Sequence, residues 1–216
     1  MPNSSQSLIQ PMSQFGDPLP GLPMIDEAEV HVLAQRHGTP IRRHFDLMAD
    51  VYMVAYRWRE DVDRRAEVVF AIQHENGEIL LHTKAWYQPT FFRLLSGGIG
   101  LDEGVEDALF REIDEETGLV VTPKRFLGLY TYDFHFGETR RSFASYIFHL
   151  TTQEAIPHCA DNWEVAGYSS VMPYQIGHVA DDLRRLEGKR KVWGNWRALC
   201  HDLVYETLGQ GTRPPA

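Results

Sequence analysis

Cysteine is scarce in this chain of 216 residues: there are two, Cys159 and Cys200, and they form no C-x-x-C pair. That excludes a disulfide framework and a thiolate metal ribbon, and leaves each thiol as a buried or incidental group. Positive charge is outweighed, with 21 Lys and Arg against 30 Asp and Glu, for a net charge of −9. A surface of that sign repels a polyanionic backbone, so a nucleic-acid partner is not expected. No apolar run approaches the roughly 20 residues that a membrane-crossing helix needs. The polar start of the chain also lacks the apolar core of a signal peptide. No membrane partner is therefore expected, and a reducing cytoplasm is the expected compartment. There is no internal repeat, and the histidines show no ligand spacing.

What is present is an ordinary globular composition, 43% hydrophobic and 24% charged, with length enough for one ample core. Residues 1–24 are rich in Ser, Gln, Pro and Gly and read as an irregular arm. Asp26 is placed to cap a helix running to about Gln35, which Gly38 and Pro40 end. Ile41, Phe45, Met48, Tyr52, Val54, Tyr56 and Trp58 then alternate with polar and basic residues in a pattern that fits helix and strand alike. Residues 1–62 are read as an N-terminal extension that packs on the core or pairs with a second subunit in a homodimer. Residues 63–212 are read as the main domain. Within it, Ala66–Gln73 and Glu78–Thr83 are expected to form a hairpin about Asn76-Gly77. Phe91–Leu95 is expected as a short strand leading into a glycine loop. Further strands are expected at Lys124–Phe134, Arg140–Leu150 and Val165–Met172, and closing helices at Pro173–Leu186 and Val192–Leu208.

The most informative segment is GGIGLDEGVEDALFREIDEETGL, residues 97 to 119. Glu106–Thr117 is predicted to be a helix, with Gly104 as N-cap and Gly118 as its left-handed stop. At about 3.6 residues per turn, Glu112, Glu115 and Glu116 share one face of it. Carboxylates so crowded repel one another by a few tenths of a kcal/mol per pair, roughly, even when solvated. Either the face is simply solvated, or a hard divalent cation converts that repulsion into coordination, since Mg²⁺ and Mn²⁺ favour carboxylate oxygens.

The flanks decide between the two. Gly97, Glu103, Arg111-Glu112-Ile113, Glu115-Glu116 and Gly118-Leu119 match the pattern G-x5-E-x7-R-E-U-x-E-E-x-G-U, with U aliphatic, at every fixed position. At ordinary usage of about one in fifteen, seven fixed residues coincide by chance roughly once in 10⁸ registers. The segment resembles the signature of the Nudix hydrolases. That resemblance implies an α/β/α sandwich with a mixed β-sheet. It also implies Mg²⁺- or Mn²⁺-dependent hydrolysis of a phosphoanhydride in a nucleoside diphosphate linked to another moiety, by metal-activated water. Metal ligands are expected at Glu112, Glu115 and Glu116, with Glu112 sharing a metal or polarising the attacking water. Glu103 is expected either to touch metal or to form a local ion pair. Arg111 is expected to orient a signature carboxylate through a two-pronged contact, and Gly97 and Gly98 to give the loop its tight path and let it wrap under the acidic face.

Outside the signature, Glu164 is the candidate general base, ahead of Asp161 and Glu138. Trp86, Tyr87 and Tyr132 are candidate platforms for a nucleobase, stacking being worth roughly 1–3 kcal/mol per base. Arg93 and Lys84 are candidate phosphate contacts, and His135 lies in a loop that could border the cleft. The proline and tyrosine that mark ADP-ribose pyrophosphatases and dinucleoside polyphosphate hydrolases are replaced here by His135 and Phe136. A likeness of LLHTKAWYQP to isopentenyl-diphosphate isomerases lacks that chemistry's cysteine between residues 88 and 100. The alternative to hydrolysis is a non-catalytic nucleotide sensor or interaction module, but such proteins usually lose signature glutamates and this chain keeps all of them.

Overall fold

A computed structural model describes residues 24–57, 64–87, 90–154, 157 and 164–210. Residues 1–23, Trp58, Cys159 and Asp161 lie outside them. Seven strands form one mixed sheet, β1 (Ile41–Met48), β2 (Arg64–Gln73), β3 (Ile79–Lys84), β4 (Leu95–Gly100), β5 (Val121–Phe136), β6 (Thr139–Thr152) and β7 (Val165–Val171). The strand order is β1-β5-β6-β2-β3-β7, with β4 also paired to β2. β1 and β2 run parallel to β5 and β6 respectively, and the other pairs are antiparallel.

The sequence of β2, RRAEVVFAIQ, shows why the sheet is central. A strand buried on both faces reads as a near-continuous apolar run, and alternate side chains feed opposite cores. Val69 and Ala71 join one core with Trp193, Trp196 and Leu203. Ala66, Val68, Phe70 and Ile72 join the other with Val30, Leu109 and Ile113. Helices α2 (Val51–Arg57), α4 (Ile176–Arg184) and α5 (Lys191–Val204) cover the first face. Helices α1 (Glu27–His37) and α3 (Val105–Thr117) cover the second. The molecule is an α/β/α sandwich with a mixed sheet. Among the described residues, no helix is long and apolar enough to cross a membrane.

One sequence expectation needs correction, and one left open is resolved. The short strand expected at Phe91–Leu95 lies further on: the glycines Gly97, Gly98 and Gly100 are themselves strand residues of β4, paired with β2. Apolar content pointed to residues 91–95, but the partner strand decides the pairing. Within the expected extension, residues 41–48 form an edge strand of the same sheet, in register with Gly128–His135 of β5. The alternation of half-buried and exposed residues along β1 is that of a one-sided strand, whose inner residues Ile41, Phe45 and Leu47 pack on the core.

Burial sets the state of several titratable groups. Cys200 is buried, and desolvation pushes its thiol up to about 12, so it is an inert core residue. His201 is buried and neutral: its Nε2 accepts the Leu94 N–H at 2.9 Å and its Nδ1 donates to the Arg197 carbonyl. Desolvation lowers its pKa to about 3, and that of His149 to about 4. A histidine lowered in the folded state stabilises fully above its unfolded value of 6.5 and loses that contribution as pH falls toward the folded value. Thermal stability is therefore expected to decline from pH 6.5 downward. In His201→Gln it should be lower at neutral pH and show a shallower decline, as melting curves from above pH 6.5 down toward about 3, the window that the shift spans, would read.

Candidate metal and phosphate site

Helix α3 carries the acidic face, and its ends are held in two ways. At the C-terminus Gly118 adopts φ 64, and its N–H reaches the carbonyls of Asp114 and Ile113. At the N-terminus Gly104 has no side chain to cap with. Glu29 of α1 does so instead, accepting the Val105 N–H at 2.6 Å. Arg65 holds that glutamate in place, donating to Glu29 Oε2 at 2.8 Å and to the Glu103 carbonyl at 2.9 Å. A carboxylate at this end also suits the helix dipole.

Arg111 organises the signature. Its Nε and Nη2 grip the two oxygens of Glu103 at 2.7 and 2.9 Å. Nη1 donates to Glu112 at 2.9 Å and Glu115 at 3.1 Å, and Nη2 also reaches the Gly98 carbonyl at 2.8 Å. A guanidinium has five N–H groups, and these contacts engage all of them. Hydrogen bonding from Arg111 lowers the Glu103 pKa, and the same bond raises that of Arg111. Glu103 accepts the Gly100 N–H as well, at 2.9 Å. Of the two roles open to Glu103, both of its oxygens serve the ion pair.

Close approach of α3 to β4 explains Gly97. A Cβ there would lie 1.8 Å from the Glu112 Cδ. Neither Gly97 nor Gly98 has positive φ, so these glycines serve proximity and not a loop's turn. Glu112 Oε1 accepts the Gly98 N–H at 2.9 Å across this contact. Burial raises the Glu112 pKa, against the pull of Arg111. Beside it opens a cleft of about 600 Å³, lined by Arg64, Gly98, Gly100, Asp102, Glu103, Gly104, Asp107, Arg111 and Glu112. The sequence did not single out Arg64 or Asp107. Arg64 reaches the cleft because β2 pairs it with Gly100, a register no local motif announces.

The remaining signature glutamates differ in setting. Glu115 is exposed, and Glu116 is buried with Lys84 Nζ at 2.7 Å from its Oε1. The same ammonium lies 2.8 Å from Glu164 at the start of β7, so Glu164 is brought to the acidic helix through Lys84. Lys84 is therefore buried in ion pairs and not positioned for phosphate. Burial raises the Glu116 pKa, partly offset by Lys84. Oxygen donors of this kind suit Mg²⁺ or Mn²⁺, and Glu116 Oε2 is buried with no hydrogen-bond partner among the described residues.

Several candidate substrate contacts are instead core residues. Tyr132 is fully buried between Phe45 and Phe134, against Trp196. Tyr87 is buried, stacked on Phe91 at 4.2 Å and under the Arg190 guanidinium. Arg93 is buried too, donating to Tyr87 Oη, the Leu94 carbonyl and Ser96 Oγ. Large aromatic area favours burial, which overrode the stacking role. Trp86 keeps 42% of its surface exposed beside Lys84. His135 pairs with Asp46 at 2.9 Å on the β1–β5 edge. There, His44, Asp46 and Asp133 bring possible metal-ligand atoms within 4.8 Å of one another, but Arg140 already pairs with Asp133 and none of the three lines the cleft.

The family model for the NUDIX domain matches residues 63–191, more than half of the chain, which therefore belongs to the Nudix family. Its chemistry is hydrolysis of acid anhydrides in phosphorus-containing compounds. Similar solved structures include the MutT protein of Methanosarcina mazei Go1, 20% identical with TM-score 0.44, covering 66% of this chain and 94% of that one. A NUDIX hydrolase from Nitrosomonas europaea is 14% identical with TM-score 0.48, covering 66% and 89%. A C. elegans Ap4A hydrolase binary complex is 16% identical with TM-score 0.43, covering 65% and 94%. Likenesses of this strength bear on neither substrate nor mechanism. No curated protein matches the chain.

The glycine contacts make a graded prediction. Gly97→Ala must push Glu112 aside and is expected to cost about 1–3 kcal/mol of stability, with weakened cation binding. Gly98→Ala meets the flexible end of Arg64, at 3.0 Å, and is expected to be milder on both counts. Melting curves and Mn²⁺ titration of the two variants check the order.

Proposed function

We propose that the chain cleaves a phosphoanhydride bond in a nucleoside diphosphate linked to another moiety, with Mg²⁺ or Mn²⁺ held by Glu112, Glu115 and Glu116. The observation that carries this reading is the convergence of three carboxylates on one face of α3, beside a cleft walled by the strand that brings in Gly98 and Gly100. A divalent cation bound there would neutralise the diphosphate and lower the pKa of an attacking water. The chain's own residues do the rest. Arg111, with its donors committed, fixes the carboxylates and does not touch substrate. Arg64, exposed in the cleft, is placed to meet phosphate oxygens. Glu164 is the proposed general base, and Trp86 the proposed platform for a base. Nucleotide-type small molecules, in a cytoplasmic setting, are the proposed partners, and the domain is proposed to run from residue 63 to 212.

Glu115→Gln and Glu116→Gln are each expected to lower turnover at least about 100-fold while the protein stays folded. The assay is nucleotide or phosphate release with Mg²⁺ and with Mn²⁺. Its panel holds nucleoside triphosphates, ADP-ribose, NADH, dinucleoside polyphosphates and sugar nucleotides. Full activity in both variants would overturn the ligand assignment. Glu112 and Glu116 both have pKa values raised by burial above 4.5, so they protonate earlier on acidification than free glutamate. The acid limb of the rate profile is expected above pH 4.5, together with loss of cation affinity. Self-association through residues 1–62 is also proposed, and light scattering that gives the monomer mass at high concentration would remove it.

A further inference from the structure

Lys84 lies where no signature residue predicts a cation. It closes β3, and its side chain is buried at the seam between the sheet, α3 and the start of β7. Nζ sits 2.7 Å from Glu116 Oε1 and 2.8 Å from Glu164 Oε2, so one ammonium bridges a buried carboxylate and a half-exposed one. Two carboxylate oxygens within hydrogen-bond reach suit the ammonium form of the lysine. The other oxygen of Glu116 faces His82 Nδ1 at 3.5 Å, and neither that oxygen nor either His82 nitrogen has a hydrogen-bond partner among the described residues. Glu116 thus has one oxygen committed to a lysine and another buried with unused acceptor capacity.

A divalent cation held by Glu116 would bring a second positive charge beside the Lys84 ammonium, which lies 2.7 Å from Oε1, and the two would repel. We propose that Lys84 is a resident counter-cation that competes with the divalent ion for Glu116, and that loading shifts the ammonium away from Glu116 onto Glu164. The inference rests on the assignment of Glu116 as a cation ligand. In the metal-free protein Lys84 keeps a buried carboxylate neutralised. On loading, it remains tethered by Glu164, on the same side of the acidic helix, and its charge adds to the cation's beside the exposed Trp86 ring, now 5.7 Å from Nζ.

The experiment is calorimetric titration of the metal-free full chain with Mn²⁺, without nucleotide, for wild type, Lys84→Met and Lys84→Gln. Removing the competitor is expected to tighten Mn²⁺ binding about tenfold, a change equal to about 1.4 kcal/mol. The gain should vanish when Glu116→Gln is the background. Lys84→Gln keeps a donor for the buried carboxylate and serves if Lys84→Met does not fold. In the wild type, the Lys84 side-chain amine resonance should move on Mg²⁺ addition. Affinity that is unchanged or weaker in the lysine variants, or an amine resonance that does not respond, overturns the competition. Mn²⁺ binding that tightens as expected in a protein that hydrolyses nothing on the panel overturns the hydrolase proposal and leaves this one standing. A wild type that binds no Mn²⁺ overturns both.

Discussion

The arrangement of the site depends on one guanidinium. Arg111 connects the strand that walls the cleft, the loop before the helix and two carboxylates on the helix itself. Like charges packed on one helix face repel, and a planar fork with fixed donor directions both offsets that repulsion and sets where each oxygen points. A lysine would supply the charge without the geometry. Every N–H of Arg111 is engaged by the protein itself. Among the described residues that line the cleft, Arg64 is the further cation.

The layout of the segment from residue 97 to 119 was legible because helix periodicity and spacing are local properties. The boundaries of α3, its glycine stop and its shared acidic face all follow from the order of residues. Gly97 was legible as a glycine beneath the acidic face, and the Glu112 side chain on the neighbouring helix is what excludes a Cβ there. The β2–β3 hairpin and the β5–β6 pair were equally readable, each having turn residues between apolar runs.

What was not legible depends on contacts between distant parts of the chain. The segment around Ile41–Met48 carries a pattern that fits two structures, and only the parallel partner β5 resolves it. Tyr87, Tyr132 and Arg93 have the chemistry of a nucleotide pocket, yet they are consumed by packing on Phe91, Phe134 and one another. Side-chain type states what a residue can bind, and burial states what it is free to bind. Lys84 shows the converse, a residue whose type suggested solvent or phosphate and whose neighbours made it part of the acidic cluster.

The cap supplied by Glu29 has a consequence for where the functional unit begins. The family match starts at residue 63, but the anion at the N-terminus of the acidic helix comes from α1, and Arg65 ties the two together. A fragment cut at the family boundary would keep every signature residue and lose the group that terminates their helix, along with an edge strand of the sheet. Swapping the early part of this chain with that of a relative is therefore not a neutral graft: it exchanges part of the electrostatic frame in which the signature works.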